Sequence, residues 1–286
     1  MIKLYKGQQG FTLIELVTVI VILGVLVTSV STFLRFGTKS YTDAADRDEL
    51  ISTARFVVER LNREVRGALP NSIRTIGPSG QCLEFVPVEK SAIYLDIPVA
   101  PEPETNTLSL VPFASELIIS SSKISIYALN SDDIYNNANG VIASFGTINN
   151  TPILPLLARD QLNDATAAVV LTLDASTQFI AESPTNRLYF ITSPTSYCVE
   201  GSDIYRYQNY NGYDGDETPA APSVINDKQL MAENLDSYSS LNDDDVPFQT
   251  IPPTLQRNGL ALIRLKFMRN FERIVFNNEI QVPNAP

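Results

Sequence analysis

Nineteen consecutive positions, Leu16 to Leu34, carry no charged side chain, and the apolar text starts earlier, at Phe11. As a helix, residues 11–34 would be about 36 Å long, enough to cross a hydrocarbon core of roughly 30 Å. β-branched residues dominate the run. Lipid tolerates this, because a backbone in hydrocarbon must bond to itself and a single segment can do so only as a helix. Lys3 and Lys6 precede the run, so the positive-inside rule puts the N-terminus in the cytoplasm and everything after Leu34 across the membrane. An ordinary secretory signal fits badly, since its small-residue cleavage site follows the apolar region, whereas Gly10 comes before it. A plain signal anchor leaves Glu15 unexplained: a carboxylate at the head of a lipid-facing helix is costly without a partner.

Composition narrows the chemistry. The 286 residues suffice for one sizeable domain with a core, or two. There is no His, which removes the commonest general base and metal ligand and excludes Ser–His–Asp or Cys–His catalysis. Gly-rich phosphate loops, nucleophile elbows and metal-spaced Cys sets are also missing, so the chain reads as a non-enzyme without cofactor. With 21 basic and 32 acidic residues, net −11, it lacks the basic footprint that nucleic acid requires. Cys82 and Cys198 suit one disulfide in an exported protein; two unrelated buried thiols are the alternative. A bridge would close a loop of more than a hundred residues and contribute on the order of 4–5 kcal/mol.

The string Gly10-Phe11-Thr12-Leu13-Ile14-Glu15, set against an uninterrupted apolar helix, resembles the prepilin cleavage and methylation signature of type IV pilins and type II secretion pseudopilins. The resemblance implies that a prepilin peptidase cuts between Gly10 and Phe11 and that the new Phe11 amine is N-methylated. Cleavage removes Lys3 and Lys6, leaving 19 basic against 32 acidic side chains, or −13. It further implies a fibre in which apolar helices stack and Glu15 meets the Phe11 ammonium of a neighbour. In a low-dielectric core such a pair sets register, because a misplaced subunit leaves a charge uncompensated. Gly24 reads either as a stretch that melts during assembly or as ordinary helix packing. Thr32 stands where many major pilins have Pro, which implies a straighter helix and a minor rather than a major pilin.

No Pro occurs between residues 35 and 69. Leu50, Ala54, Val57, Val58, Leu61, Val65 and Ala68 recur in steps of three and four, one face of an amphipathic helix. Glu59–Arg63 and Arg60–Glu64 are spaced to support its exposed face. Gly67 and Pro70 end it. Residues 11–69 thus predict one helix of about 88 Å, half in lipid and half on a domain. The stretches Glu59–Arg74, Cys82–Val88 and Asn278–Pro286 are similar to large minor pilins of the J/W type, nearest to the O-type minor subunits of mannose-sensitive haemagglutinin (MSHA) pili. The partners this implies are major and other minor pilins, the prepilin peptidase/N-methyltransferase, the inner-membrane assembly platform and inner-membrane lipid.

After Pro70 short β-rich runs alternate with Pro, Asn, Asp and Ser clusters. The expected strands are 83–88, 93–97, 117–129, 168–173, 187–192, 204–207, 261–268 and 273–282, with 98–106 and 209–256 as long surface loops. The layout expected is a leader (1–10), a transmembrane or fibre-core helix (11–34), an amphipathic helix (35–69) and a periplasmic β-rich domain (70–286). The fold class is α+β, a long helix packed on an antiparallel sheet. Asp214, Asp216 and Glu217, with Asp243–Asp245, offer oxygen ligands for Ca²⁺, but they match no EF-hand loop and read first as solvated loop tips. The Tyr-rich stretch 205–213 reads as an exposed strand and its turn, with a contact surface as the alternative.

Overall fold

A computed structural model describes residues 10–77, 80–113, 118, 123–136, 140–149, 169–210, 212–213, 227–238, 245–253, 257–270 and 272–282. One α-helix, α1, runs unbroken from Leu13 to Arg66. It is followed by strands β1 (Arg74–Ile76), β2 (Cys82–Phe85), β3 (Val88–Asp96), β4 (Thr105–Leu110) and β5 (Lys123–Ser125), and by a short helix, α2 (Ser131–Tyr135). Then come β6 (Ile142–Asn149), β7 (Val169–Thr177), β8 (Arg187–Ile191), β9 (Thr195–Glu200), β10 (Asp203–Gln208), β11 (Asp227–Ala232), β12 (Phe248–Ile251), β13 (Gly259–Arg269) and β14 (Glu272–Val282). A long helix followed by antiparallel β-structure is the α+β layout expected from the sequence.

The chain divides into two compact units. The first is the chain up to Glu49 together with Arg269–Glu272. Its helix starts on Leu13 and presents its apolar residues outward all the way round. Within this unit Arg269 reaches Asp46 at 3.3 Å and Glu49 at 2.5 Å, Asn270 Nδ2 donates to Asp46 at 2.6 Å, and Arg47 meets Glu272 at 3.6 Å. The exposed Arg47–Glu272 pair contributes little.

The second unit, Leu50–Met268 with Arg273–Pro286, contains three β-assemblies. A five-stranded sheet has the order β1-β2-β9-β10-β11, and a three-stranded sheet the order β12-β13-β14. Strands β3-β4-β7-β6-β5-β8 close into a barrel. Every strand pair whose register is described is antiparallel. The barrel occupies the chain between β2 and β9, which are themselves hydrogen-bonded neighbours, with Cys82 opposite Cys198 and Phe85 opposite Thr195. It is therefore an insertion that leaves and re-enters one sheet through adjacent strands.

Hydrophobic burial explains both lobes. Leu50, Ala54, Val57, Leu61 and Val65 of α1 pack with Leu83, Phe85 and Tyr197 of the five-stranded sheet and Ala261, Ile263, Leu265 and Phe267 of β13. The steps of three and four put one helix stripe between two sheets. The barrel has its own core of Leu108, Leu110, Ile124, Leu171, Leu188 and Phe190, so it is filled rather than hollow.

Several expectations needed correction. Two strands, β11 and β12, lie inside 209–256, and β4 begins at Thr105 inside the expected loop 98–106. Of the run expected at 117–129, strand β5 takes Lys123–Ser125 and residues 126–129 follow outside any strand, while 117 and 119–122 lie outside the described residues. The strands β11 and β12 are made by pairing with their neighbours along the chain, β10 and β13, which the composition of the segment itself does not reveal. Tyr207, Tyr210 and Tyr213 are buried, not exposed as the local polarity of 205–213 suggested. Their rings pack inward while their hydroxyls find partners: Tyr207 on Glu200, Tyr210 on Glu84, and Tyr213 on the Thr192 carbonyl at 2.5 Å.

Candidate functional site

Gly10 and Phe11 are fully accessible just ahead of α1, Phe11 with 86% of its surface exposed. Thr12 stands immediately before the first helical residue. Its N–H and its hydroxyl both donate to Glu15 Oε2, each at 3.1 Å, and the Glu15 N–H donates to Thr12 Oγ1 at 3.4 Å. This is a capping box, two orphan helix-start groups satisfied reciprocally. Glu15 therefore has a job within its own chain, starting the helix, and its position in the first turn also suits the helix dipole. A sequence reading alert only to the lipid cost of Glu15 misses this, although Thr-x-x-Glu ahead of an apolar run is a legible signal.

Along the apolar segment the few polar side chains are turned onto the helix itself. Thr18 donates to the Glu15 carbonyl at 3.0 Å, Thr28 and Ser29 to Val25 at 2.9 Å, and Thr32 to Thr28 at 2.9 Å. Back-bonding of this kind hides hydroxyls from hydrocarbon. Gly24 sits within the unbroken helix with open space where a Cβ would project. The apolar part of α1 has a mean hydropathy of 2.7, and none of it is buried among the described residues. It is long enough and apolar enough to cross a membrane.

The other half of α1 is fixed to its platform by a polar node at Glu64. Its carboxylate receives Arg60 Nε at 2.9 Å, Arg206 Nε at 3.0 Å and the Tyr197 hydroxyl at 3.0 Å. Burial alone would push this carboxyl up; the hydrogen bonds from Arg60 and Arg206 outweigh it and hold Glu64 below the ordinary carboxylate range. Burial pushes the Tyr197 phenol well up, helped by the adjacent Glu64 charge. Arg60–Glu64 is thus not merely a pair on an exposed face: it is half-buried and joins the helix to β9 and β10.

A second node lies at the stem of the barrel. Cys82 and Cys198 are bonded across β2 and β9, with Cα atoms 4.1 Å apart. Beside them Glu84, 1% exposed, takes Arg74 Nε at 2.6 Å and the Tyr210 hydroxyl at 2.5 Å, while Arg74 stacks 3.6 Å from the centre of the Tyr135 ring. A buried carboxylate persists only with such compensation. Of the calcium candidates, Asp214, Asp216 and Glu217 lie outside the described residues, as do Asp243 and Asp244. Asp245 is engaged by Lys266 at 2.7 Å.

A capped helix start, an apolar first half and a second half packed in the β-domain core together have the layout of a chain with a pilin-type N-terminus. The family model of the prokaryotic N-terminal methylation motif matches residues 5–31. None of the curated proteins and none of the solved structures matches the chain. The motif supports a type IV pilin-like protein, pilin or pseudopilin, and implies processing by a prepilin peptidase and assembly with other pilins. Proteins of the prepilin-motif family are structural subunits rather than enzymes.

Proposed function

We propose that the protein is a minor pilin of an MSHA-like type IV pilus, a structural subunit that helps to start, cap or adapt the fibre. In this reading the peptidase cuts between Gly10 and Phe11, Phe11 is N-methylated, and the domain after residue 34 is periplasmic until α1 moves from lipid into the fibre core. The observation that carries the reading is the pairing of the motif with a helix whose first half is largely apolar and exposed all round among the described residues. A surface like that is stable only in lipid or against other such helices. Glu15, satisfied by Thr12 in the isolated subunit, can exchange that partner for the Phe11 ammonium of a neighbour, which would set the register. Major and minor pilins and the inner-membrane assembly platform are the partners.

The test is to shear surface fibres from cells and search them by mass spectrometry for this subunit and its N-terminal peptide. A low-abundance chain beginning at N-methylated Phe11 supports a surface-pilus minor pilin. A processed form retained in the envelope and missing from sheared fibres would instead indicate a J-type secretion pseudopilin. An uncleaved chain would defeat both. In the same assay Glu15→Ala should be cleaved yet poorly incorporated; normal incorporation would remove the register role.

A further inference from the structure

Past the apolar run of α1 the first charged residues are Arg35 and Lys39, and the next are Asp43, Asp46, Asp48 and Glu49, interrupted only by Arg47. Residues 33–43 are exposed helix throughout. Arg35 and Lys39 are four apart and so share one side of it. Among the described residues neither side chain has a hydrogen bond or an ion pair, and Lys39 does not close onto Asp43 although the spacing allows it. Asp46 and Glu49, by contrast, are held by Arg269. The neighbouring hydroxyls are turned back onto the helix: Thr38 donates to the Leu34 and Arg35 carbonyls at 3.0 Å, and Thr42 to Lys39 at 2.8 Å. Phe33, Phe36 and Tyr41, all exposed, spread over the rest of the circumference at about 100° per residue. The segment is an aromatic collar with two cations and no carboxylate.

Helix geometry fixes the level of these groups. With Leu34 at the edge of the hydrocarbon, the Cα atoms of Arg35 and Lys39 lie about 1.5 Å and about 7.5 Å beyond it, within a headgroup layer roughly 5–8 Å deep. Asp43 lies about 13.5 Å beyond it, in water. The change of sign therefore falls at the outer limit of the headgroups. Orientation does not explain the two cations, because the positive-inside rule places Lys and Arg at the other end of the span. Lipid phosphate does: long stems lie along apolar surface while the charged heads reach outward. Uncompensated cations favour a lipid of net negative charge over a zwitterionic one, whose phosphate already has a cation beside it. We propose that residues 33–41 form a headgroup clamp that selects anionic phospholipid in the leaflet farther from the N-terminus, with Arg35 and Lys39 on the phosphates and the collar at the acyl boundary. The proposal rests on the reading of α1 as a membrane span, and it names the lipid that the subunit holds before it enters a fibre.

The chain has no Trp, so Leu34→Trp supplies a single indole at the level of the collar. The full chain carrying it is reconstituted in equimolar phosphatidylglycerol and phosphatidylcholine, with the acyl chains of one lipid or the other brominated. Bromine quenches on contact, so the two signals report which lipid lies beside the indole. The expected result is an about threefold preference for phosphatidylglycerol that disappears in Arg35→Gln/Lys39→Gln and weakens in high salt. Lys3 and Lys6 precede the span and are unchanged in both chains, so they cannot produce the difference. Quenching without preference, or a preference that survives the double substitution, overturns the clamp and leaves the span standing. No quenching by either lipid overturns the span and the clamp with it. If the native chain shows no preference while the double variant is processed but missing from sheared fibres, the two cations serve a carboxylate of a neighbouring subunit, and the lipid clamp is overturned.

Discussion

The two halves of α1 are one helix written in two texts. From Leu13 to Leu34 most residues are apolar and every one is exposed; from Leu50 to Val65 only one stripe is apolar, and Leu50, Ala54, Val57, Leu61 and Val65 are buried. Both halves meet the helix's need to bond its own backbone, so their difference is purely one of solvent. A helix apolar all round has its environment supplied by other molecules, whereas a striped helix has it supplied by its own chain. The polar groups divide in the same way. In the first half Thr and Ser hydroxyls fold back onto the helix, while in the second Glu64 reaches across to Arg206 and Tyr197.

Mutations should therefore separate domain stability from assembly, and the largest effect belongs to the platform under the second half. Cys82→Ser opens a disulfide spanning 116 residues and should cost about 5 kcal/mol, read by urea unfolding of the full chain in detergent. Tyrosine fluorescence can follow it, since there are 12 Tyr and no Trp. Helicity of the first half in micelles should not change; if it falls equally, the two halves are not independent. Next in size, Leu61→Ala should cost about 3 kcal/mol by the same measurement. Leu23→Ala, an equal truncation in the first half, should leave the domain's unfolding midpoint where it was. Equal losses from both would erase the distinction.

Glu64→Gln should cost about 2 kcal/mol at pH 7. Because the folded Glu64 carboxyl is held below its ordinary value, its contribution is present above the unfolded value of about 4.3 and is lost as pH falls through the lowered folded one. The stability gap between wild type and variant should close as pH is lowered toward 3; a gap that widens in acid would contradict the assignment. Smallest is Thr12→Ala, which removes the cap and should weaken the helix start by about 1 kcal/mol. Faster amide exchange confined to residues 12–16 in micelles would show it, with the unfolding of the domain unaffected.

The helix was legible because its signals are local. Nineteen uncharged positions, the Gly-Phe-Thr-Leu-Ile-Glu string and the spacing Leu50, Ala54, Val57, Leu61, Val65 all act over a few turns. Even the Thr12–Glu15 cap could have been read, since it is four residues long. Strands such as β13 were legible from alternation: Ile263, Leu265 and Phe267 are buried while Arg264 is exposed. Strand β9 was not, because Thr195 through Val199 are buried on both faces and include Thr and Ser, so period-2 contrast vanishes. Strands β11 and β12 were hidden in text rich in Asp, Asn and Pro, where only a partner strand creates the preference for extension.

By itself, the sequence determined the apolar first half of the helix, the N-terminal methylation motif, the striped second half and the antiparallel α+β class, since each rests on interactions between near neighbours or on bulk hydrophobicity. Tertiary structure alone decided that β2 and β9 lie side by side and that the chain between them closes into a filled barrel. It also decided that Tyr207, Tyr210 and Tyr213 turn inward. Those features depend on which distant strands find each other. That choice is made by burial and register over a hundred or more residues, where no local pattern in the chain records it.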